Sequence, residues 1–345
     1  MLFVVGFHID LYFLQKHAIP RDNLNGFDFH QTGMWGVLMF FVHTSLVLML
    51  SLERQQQRFP EEPFFIPFML RRTFRIFPLS VFIVALVWLL ALPVGELKSG
   101  TFSYLHLDWT GILSNFLLLQ NVWHKDSIIP VLWTLPFEMQ MYLTLPAIYL
   151  LVRFTKGPVR IIALWAVAAF FCSHTYRLQQ LGLGPLVELT TYIPCFLSGV
   201  VAYKLGKSRG LGLVAVLWPV FIGAITLIYL RWHLTYTCCF LLGLGIPQFR
   251  EIANPVVRRV SQLIARYSYG IYLTHWIVIW LVFQALRREV ARIEWIVLIA
   301  GFGLFPYVLY HYLEEPMIRY GGKIAGEFYR RRLLKLQLEP VPDKE

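Results

Sequence analysis

The sequence predicts an all-α polytopic integral membrane protein of about ten transmembrane helices, with the N-terminus and the C-terminus both cytoplasmic. Composition points there first. Hydrophobic residues make up 57% of the 345, charged residues only 15%, and the mean hydropathy of +0.58 is far from that of a soluble globular chain. Apolar runs are spaced along the whole length, each near the roughly 20 residues that a helix needs to cross a hydrocarbon core of about 30 Å. The Lys and Arg residues then distribute unequally between the connecting segments, as the membrane's two sides require.

Taken in order, the runs place helices at residues 1–14, 33–52, 74–94, 130–152, 160–173, 187–203, 211–230, 233–248, 267–286 and 295–313. The first is too short to span as it stands and begins in mid-pattern at Met1 without a basic flank, so the natural start is expected to lie upstream. A cleaved signal peptide is the competing reading, but no positive leading segment and no small-x-small site precede Asp10. The stretch Trp109 to Trp123 is interrupted by Ser114, Asn115 and Gln120 and reads as interfacial or re-entrant. Pro130, Pro136 and Pro146 interrupt the fourth helix. No repeat of 20 to 50 residues and no linker divides the chain. Residues 1–320 are expected to form a single transmembrane domain, and 321–345 a basic cytoplasmic tail, partly disordered, whose stretch Leu338 to Glu345 carries two prolines and mixed charge.

With the N-terminus inside, the cytoplasmic segments hold 22 of the 31 Lys and Arg residues, including Arg54 to Arg75, Arg250 to Arg266 and the run Arg330, Arg331, Arg332. The outer segments hold the other nine, among them Lys16, Lys98, Lys125, Arg231 and Arg287. An even number of helices returns the basic tail to the cytoplasm. The net charge of +11 is accounted for by this topology and by attraction to anionic membrane lipids, and nucleic acid is not an expected partner. The cysteines Cys172, Cys195, Cys238 and Cys239 lie in or beside helices without metal-ligand spacing; they read as small packing residues, and no metal is expected.

Chemistry is sought where ionisable groups fall inside apolar runs, because each costs several kcal/mol unless it is paired or lines a wet cavity. His8 lies within Phe3-Val4-Val5-Gly6-Phe7-His8-Ile9-Asp10, and Glu138 within Trp133-Thr134-Leu135-Pro136-Phe137-Glu138, with Tyr142 one turn on. In Tyr267 to His275, the residues Ser268, Tyr272 and His275 share a helical face at i, i+4 and i+7. A polar seam inside the bundle follows. Asp10 cannot orient His8, since i and i+2 do not face each other. At the cytoplasmic start of the third helix, Arg72 and Arg75 point two guanidinium forks to one side, which suits phosphate or pyrophosphate near a helix N-terminus. On charge alone, positive-inside anchoring is the favoured reading of the pair. Glu138 reads either as a buried carboxylate holding helices together or as a group acting on the seam, and Tyr272 with His275 as an interhelical hydrogen-bonded contact or part of the site. Glu314 and Glu315 before Pro316 are expected to end the last helix at the cytoplasmic surface.

Five pieces in order carry a family resemblance: Gly36-Val37-Leu38-Met39-Phe40-Phe41-Val42, Arg71-Arg72-x-x-Arg75-Ile76-x-Pro78, Leu132-Trp133-Thr134-x-x-x-Glu138-x-x-x-Tyr142-Leu143, Ser268-Tyr269-x-x-Tyr272-Leu273-x-His275, and Glu314-Glu315-Pro316. Over nearly its full length the chain resembles the membrane acyltransferase 3 family. The resemblance implies acyl transfer from cytoplasmic acyl-CoA, acetyl-CoA in the usual case, to hydroxyls of surface polysaccharides, lipopolysaccharide, peptidoglycan, Nod factors or macrolides, in a bacterial inner membrane. It implies an Arg72 and Arg75 pair that holds CoA phosphates, and a catalytic His at position 8. The family's Arg, separated from that His by ten intervening residues, would fall before Met1. After Phe41-Val42 this chain has His43-Thr44-Ser45 where the family commonly carries a Ser-Gly-Phe type turn.

The expected mechanism makes His8 the general base on an acceptor hydroxyl, with an acyl-His intermediate as the alternative. Glu138 is expected to assist catalysis by orienting the catalytic His or lining the substrate path, and Tyr142, Tyr272 and His275 to line the path of the acceptor, a carbohydrate or lipid-linked glycan. Two non-enzyme readings stand beside it. One is a transporter or flippase for a glycolipid or small anion, though the two halves show no similarity. The other is an inactive scaffold of a polysaccharide assembly complex, for which the displaced Arg is the support.

Overall fold

The computed structural model describes residues 1–17, 26–59, 63–155, 157–174, 190–206, 211–250, 253–286 and 291–338. Among these are twelve α-helices: α1 (Leu2–Lys16), α2 (Thr32–Arg58), α3 (Phe65–Leu89), α4 (Trp109–Leu117), α5 (Thr134–Arg153), α6 (Val159–Ser173), α7 (Ile193–Leu205), α8 (Trp218–Trp232), α9 (Thr235–Gly245), α10 (Pro255–Trp280), α11 (Ala291–Leu309) and α12 (Glu315–Leu338). A hairpin of β1 (Glu96–Lys98) and β2 (Thr101–Ser103) supplies the one sheet among the described residues.

Among the described residues, five helical stretches are long and apolar enough to cross a membrane: Phe29–Arg58, Phe65–Leu89, Pro130–Arg153, Ala215–Trp232 and Ile293–Arg331, with Val159–Ser173 and Ile193–Leu205 shorter but apolar. The sequence reading expected about ten spans. The difference lies in length and polarity. The 15 residues of α1 and the 11 of α9 extend about 22 Å and 17 Å, short of the roughly 30 Å core. α10 has 26 residues but carries tyrosines, Ser268, Thr274 and His275 along its apolar half. α4 has nine residues and cannot span. The first residues of the expected sixth helix, 187–189, and the end of the tail, 339–345, lie outside the described residues.

Two boundaries correct the sequence reading. α3 begins at Phe65, with Pro67 tolerated in its first turn, so Arg72 and Arg75 sit in the second and third turns. They are too far from the helix N-terminus to share its dipole, which acts only within the first turn. Pro316 does not end the last helix. A π-helical turn, Tyr310–Glu314, leads directly into α12, whose second residue is Pro316, where a missing N–H is tolerated. α12 then runs to Leu338 and packs along α3, with Gly321 against Phe74. Gln55 donates to Tyr329 Oη at 2.6 Å and to Phe64 O at 3.0 Å, and Tyr329 stacks on Phe59, so this part of the expected tail is docked.

α2 is the hub of the interior. It packs on α7, α1 and α5, and Trp35 Nε1 donates to Thr226 Oγ1 of α8 at 2.8 Å. The crossing with α7 depends on Gly199. A Cβ there would lie 2.0 Å from Ser45 Oγ and 2.1 Å from Val42 O, and Ser45 Oγ donates to Phe196 O at 2.6 Å. Small residues permit such an approach, and a buried hydroxyl ties the two backbones. The hairpin closes through Ser99 and Gly100, both at positive φ as a primed turn requires. Its Phe102 N donates to Gln284 Oε1 at 2.6 Å, and Gln284 Nε2 donates to Phe102 O at 3.1 Å. That side-chain amide imitates a neighbouring strand. It fixes the hairpin to the π turn Leu281–Ala285 that continues α10.

Asp108 caps α4. Lys125 Nζ at 2.7 Å, Thr110 Oγ1 at 2.8 Å and Gly111 N at 2.7 Å all donate to its carboxylate and hold its pKa down to about 2 from an ordinary 3.8, Lys125 first. A depressed carboxylate stabilises fully above its unfolded pKa, so the cap is intact above about pH 4 and is lost as pH falls towards 2. Asp108→Ala is expected to speed hydrogen exchange of the first α4 amides at pH 6; equal exchange would mean that the cap contributes nothing. For the α2–α7 crossing, Gly199→Ala is expected to cost about 1–3 kcal/mol by overpacking and to lower the thermal unfolding midpoint in detergent. Gly223→Ala, at a position with open space around it, should leave the midpoint unchanged.

Candidate active site

The ionisable residues that the sequence places in apolar runs meet along one face of α10. In chain order, Tyr269, Tyr272 and His275 follow one another at three-residue spacing and turn inward. Ser268, expected on that face, instead bonds back to Ala265 O on the exposed side. Sequence spacing alone does not separate i+3 from i+4 as the inward step; the packing of α10 on α1, α3 and α11 does.

At the outer end of this seam, His8 of α1 stands against His275. His8 Nδ1 is 2.7 Å from His275 Nε2, and the rings stack with centroids 4.9 Å apart. Trp276 presses its edge on His8 at 4.9 Å. His275 is fully buried, and its Nδ1 lies 2.7 Å from Tyr272 O and 3.2 Å from Ile271 O. Asp10 is exposed on the other side of α1, as the i, i+2 spacing requires. His43, the further intramembrane histidine, is exposed on α2 and takes no part.

One turn inward, Tyr272 Oη donates to Val131 O at 2.9 Å and has Thr134 Oγ1 at 2.9 Å. Its single proton goes to the carbonyl, so Thr134 donates to Tyr272. Glu138 follows Thr134 by four residues on α5, and its carboxylate accepts from Tyr142 Oη, another four on; all three are buried. Tyr269 Oη donates to Ile76 O at 2.7 Å, which binds α10 to α3 beside Arg75.

The arginines complete the end of the seam opposite His8. Arg72 donates to Ser51 Oγ at 3.2 Å and lies over the Phe68 ring, while its Nε is buried and unpartnered. Arg75 is exposed. Both are within electrostatic reach of Glu138 and Tyr142, yet neither forms an ion pair among the described residues. Glu314 was expected at the surface and is instead 3% exposed, within reach of Arg75 and Tyr269. Its Oε1 is unpartnered and lies 3.0 Å from where a Cβ at Gly270 would stand. The π turn carries it inward. A carboxylate just before a proline gave no hint of that in the sequence.

The structure thus gathers His8 with His275, Glu138 with Tyr142, and Arg72 near both of the latter. It does not join Glu138 to His8: their only described hydrogen bonds go to Tyr142 and His275 respectively. The polar atoms of Tyr142, Tyr272 and His275 are likewise engaged with protein partners. Tyr269, Thr134, Ser51 and Glu314 join the seam unannounced by the sequence reading. Two cavities, about 240 Å³ lined by Val122, Phe137 and Tyr192 among others, and about 350 Å³ lined by His311, Arg319 and Lys323 among others, are lined by neither His8 nor Arg72. No group of His, Cys, Asp or Glu among the described residues is arranged to hold a metal ion, and the four cysteines are free and buried.

Apolar helices enclosing a histidine pair, an arginine and two carboxylates, with a second arginine exposed beside them, define a membrane protein with a polar interior. Residues 1–311 match a family model described as an acyltransferase domain, and the chain belongs to that family, acyltransferase 3. It is a membrane acyltransferase. No curated protein and no solved structure matches it.

The tie between α10 and α3 can be tested directly. Tyr269→Phe removes one buried hydrogen bond, is expected to cost about 1 kcal/mol, and should lower the unfolding midpoint; Ser268→Ala, on the outward side, should not. Equal midpoints for the two variants would contradict the assignment of the inward face.

Proposed function

We propose that the chain transfers an acyl group, acetyl in the simplest case, from cytoplasmic acyl-CoA to a hydroxyl of a carbohydrate or cell-envelope glycan at the bacterial inner membrane. The observation that carries this reading is the unneutralised arginine pair. The half-buried Arg72 has no carboxylate in contact and a buried Nε without a partner, which an anion would complete, and the planar forks of Arg72 and Arg75 suit the phosphates of CoA. The pair opens the same seam that His8 closes about two turns of α10 further out. The donor's phosphates and its thioester would occupy the two ends.

The layout of the ends supports entry of the donor from the cytoplasm. Segments expected on the inner side meet one another: Lys204 Nζ donates to Val152 O and Thr155 O, and Gln55 meets Tyr329. Segments expected outside do the same, with Gly100 packed on Lys16 and Arg231 donating to Gly26 O.

In the step itself, His8 takes the proton of the acceptor hydroxyl as its oxygen attacks the thioester carbonyl. The new C–O bond forms, the tetrahedral intermediate collapses with cleavage of the C–S bond, and the departing thiolate takes the proton back from His8. Ester and free CoA thiol result, and the imidazole is regenerated. Glu138 with Tyr142, and Tyr272 with Thr134, act in this reading as positioning groups: they hold α5 and α10 in register and set the potential that the donor meets. Substrate contact by Tyr142, Tyr272 or His275 would require breaking the bonds they already make.

The test is consumption of labelled acetyl-CoA by membranes with matched expression of wild type, His8→Ala and the double variant Arg72→Ala/Arg75→Ala. The wild type is expected to consume the donor, and His8→Ala to lose about 10²–10⁴-fold in kcat. The arginine variant should raise KM about tenfold to a hundredfold with a smaller change in kcat. A wild type indistinguishable from empty membranes would favour a transporter, and equal activity of His8→Ala would remove His8 from the mechanism.

A further inference from the structure

We infer that His275 is a positioning residue that fixes the tautomer of His8, placing the proton on Nδ1 of His8 and leaving Nε2 bare. The inference deepens the acyl-transfer reading above and rests on it for its chemical meaning. The protons can be counted along a chain of contacts. Tyr272 O and Ile271 O are carbonyl oxygens and can only accept, so the nitrogen 2.7 Å and 3.2 Å from them, His275 Nδ1, carries a hydrogen. A neutral imidazole has one N–H, and His275 Nε2 is therefore an acceptor. The atom 2.7 Å from it is His8 Nδ1, which must then be the donor. His8, neutral in turn, has its lone pair on Nε2.

The neutral state of His275 follows from its surroundings. It is fully buried, and no carboxylate lies within ion-pair distance among the described residues, so an imidazolium there would be an uncompensated buried charge. Were His275 charged, its Nε2–H would donate to His8 Nδ1 and the order at His8 would invert. Stacking at 4.9 Å and the Trp276 edge on His8 hold the two rings in this contact. His8 Nε2 makes no hydrogen bond to a described residue, and His8 is only partly buried. The free nitrogen is thus available to a hydroxyl. When it takes that proton, the Nδ1–H bond to His275 strengthens against the new positive charge, as a fixed acceptor behind a catalytic imidazole does.

The test uses the full chain in detergent or nanodiscs with ¹⁵N-labelled histidine, the His8 signals being assigned by their loss in His8→Gln. At neutral pH, the wild type is expected to show His8 protonated at Nδ1 and bare at Nε2. His275→Gln keeps an acceptor oxygen near the place of Nε2; it should retain that tautomer and kcat within about tenfold of wild type. His275→Leu removes the acceptor; His8 should shift towards the Nε2–H form, and kcat should fall about 100-fold with KM for acetyl-CoA unchanged, within the range general-base catalysis supplies. A wild-type His8 protonated at Nε2 would overturn the inference, as would Gln and Leu variants that match each other in tautomer and kcat. The spectrum does not depend on turnover. An inactive protein with Nδ1–H at His8, lost in His275→Leu, would support the positioning role and overturn the acyl-transfer reading instead.

Discussion

An ionisable side chain among lipid tails is costly, and that cost organises this molecule. Five such groups, His8, Arg72, Glu138, His275 and Glu314, fall on five different helical segments. The arrangement that shelters them is one in which α1, α3, α5, α10 and the π turn before α12 present those positions to each other. Each buried polar atom then needs a specific partner, and most have one: Tyr142 for Glu138, Ser51 for Arg72, His8 for His275. Hydrogen bonds are directional where hydrophobic contact is not, so the seam sets the rotation and register of helices that the apolar surfaces alone would leave free.

α10 serves as the spine of that seam. Its three inward residues are held at three heights, by Ile76 O, by Val131 O with Thr134, and by His8. The outer end is braced by Gln284 on the hairpin and by Trp276 Nε1 donating to Val94 O at 2.8 Å. The inner end is braced by the π turn, which offsets the helical register so that Glu314 faces Gly270 while Glu315 turns out towards Arg319 and His311. One residue added to a turn separates two adjacent carboxylates into a buried group and a surface group.

Much of this was legible in the sequence because an isolated charge in an apolar run has few innocent explanations. His8, Glu138 and His275 are conspicuous for that reason, and the i, i+4 step from Glu138 to Tyr142 is realised as a hydrogen bond. Three features were not legible. The start of α3 was set too late because Arg71, Arg72 and Arg75 resemble a charged flank, whereas a helix of 25 residues accommodates them a few turns inside. Pro316 resembles a stop signal, but a proline in the first turn of a helix breaks no hydrogen bond, and a π turn upstream has no composition of its own. Tyr269 was passed over in favour of Ser268 because faces three and four residues apart overlap in a helix and only the neighbouring helices distinguish them.

The resulting picture is of a membrane acyltransferase whose polar seam runs from an arginine pair, for which phosphate binding is proposed, to a half-buried imidazole. Its central claim is that one donor molecule bridges those two points. The most direct measurement is a cryo-electron microscopy structure of the protein with a non-hydrolysable acetyl-CoA analogue. The account requires phosphate density within hydrogen-bond distance of Arg72 and Arg75, with the acyl carbon directed along the seam towards Nε2 of His8. Density for the analogue elsewhere, with the arginines still bound only to Ser51 and their protein surroundings, would contradict it.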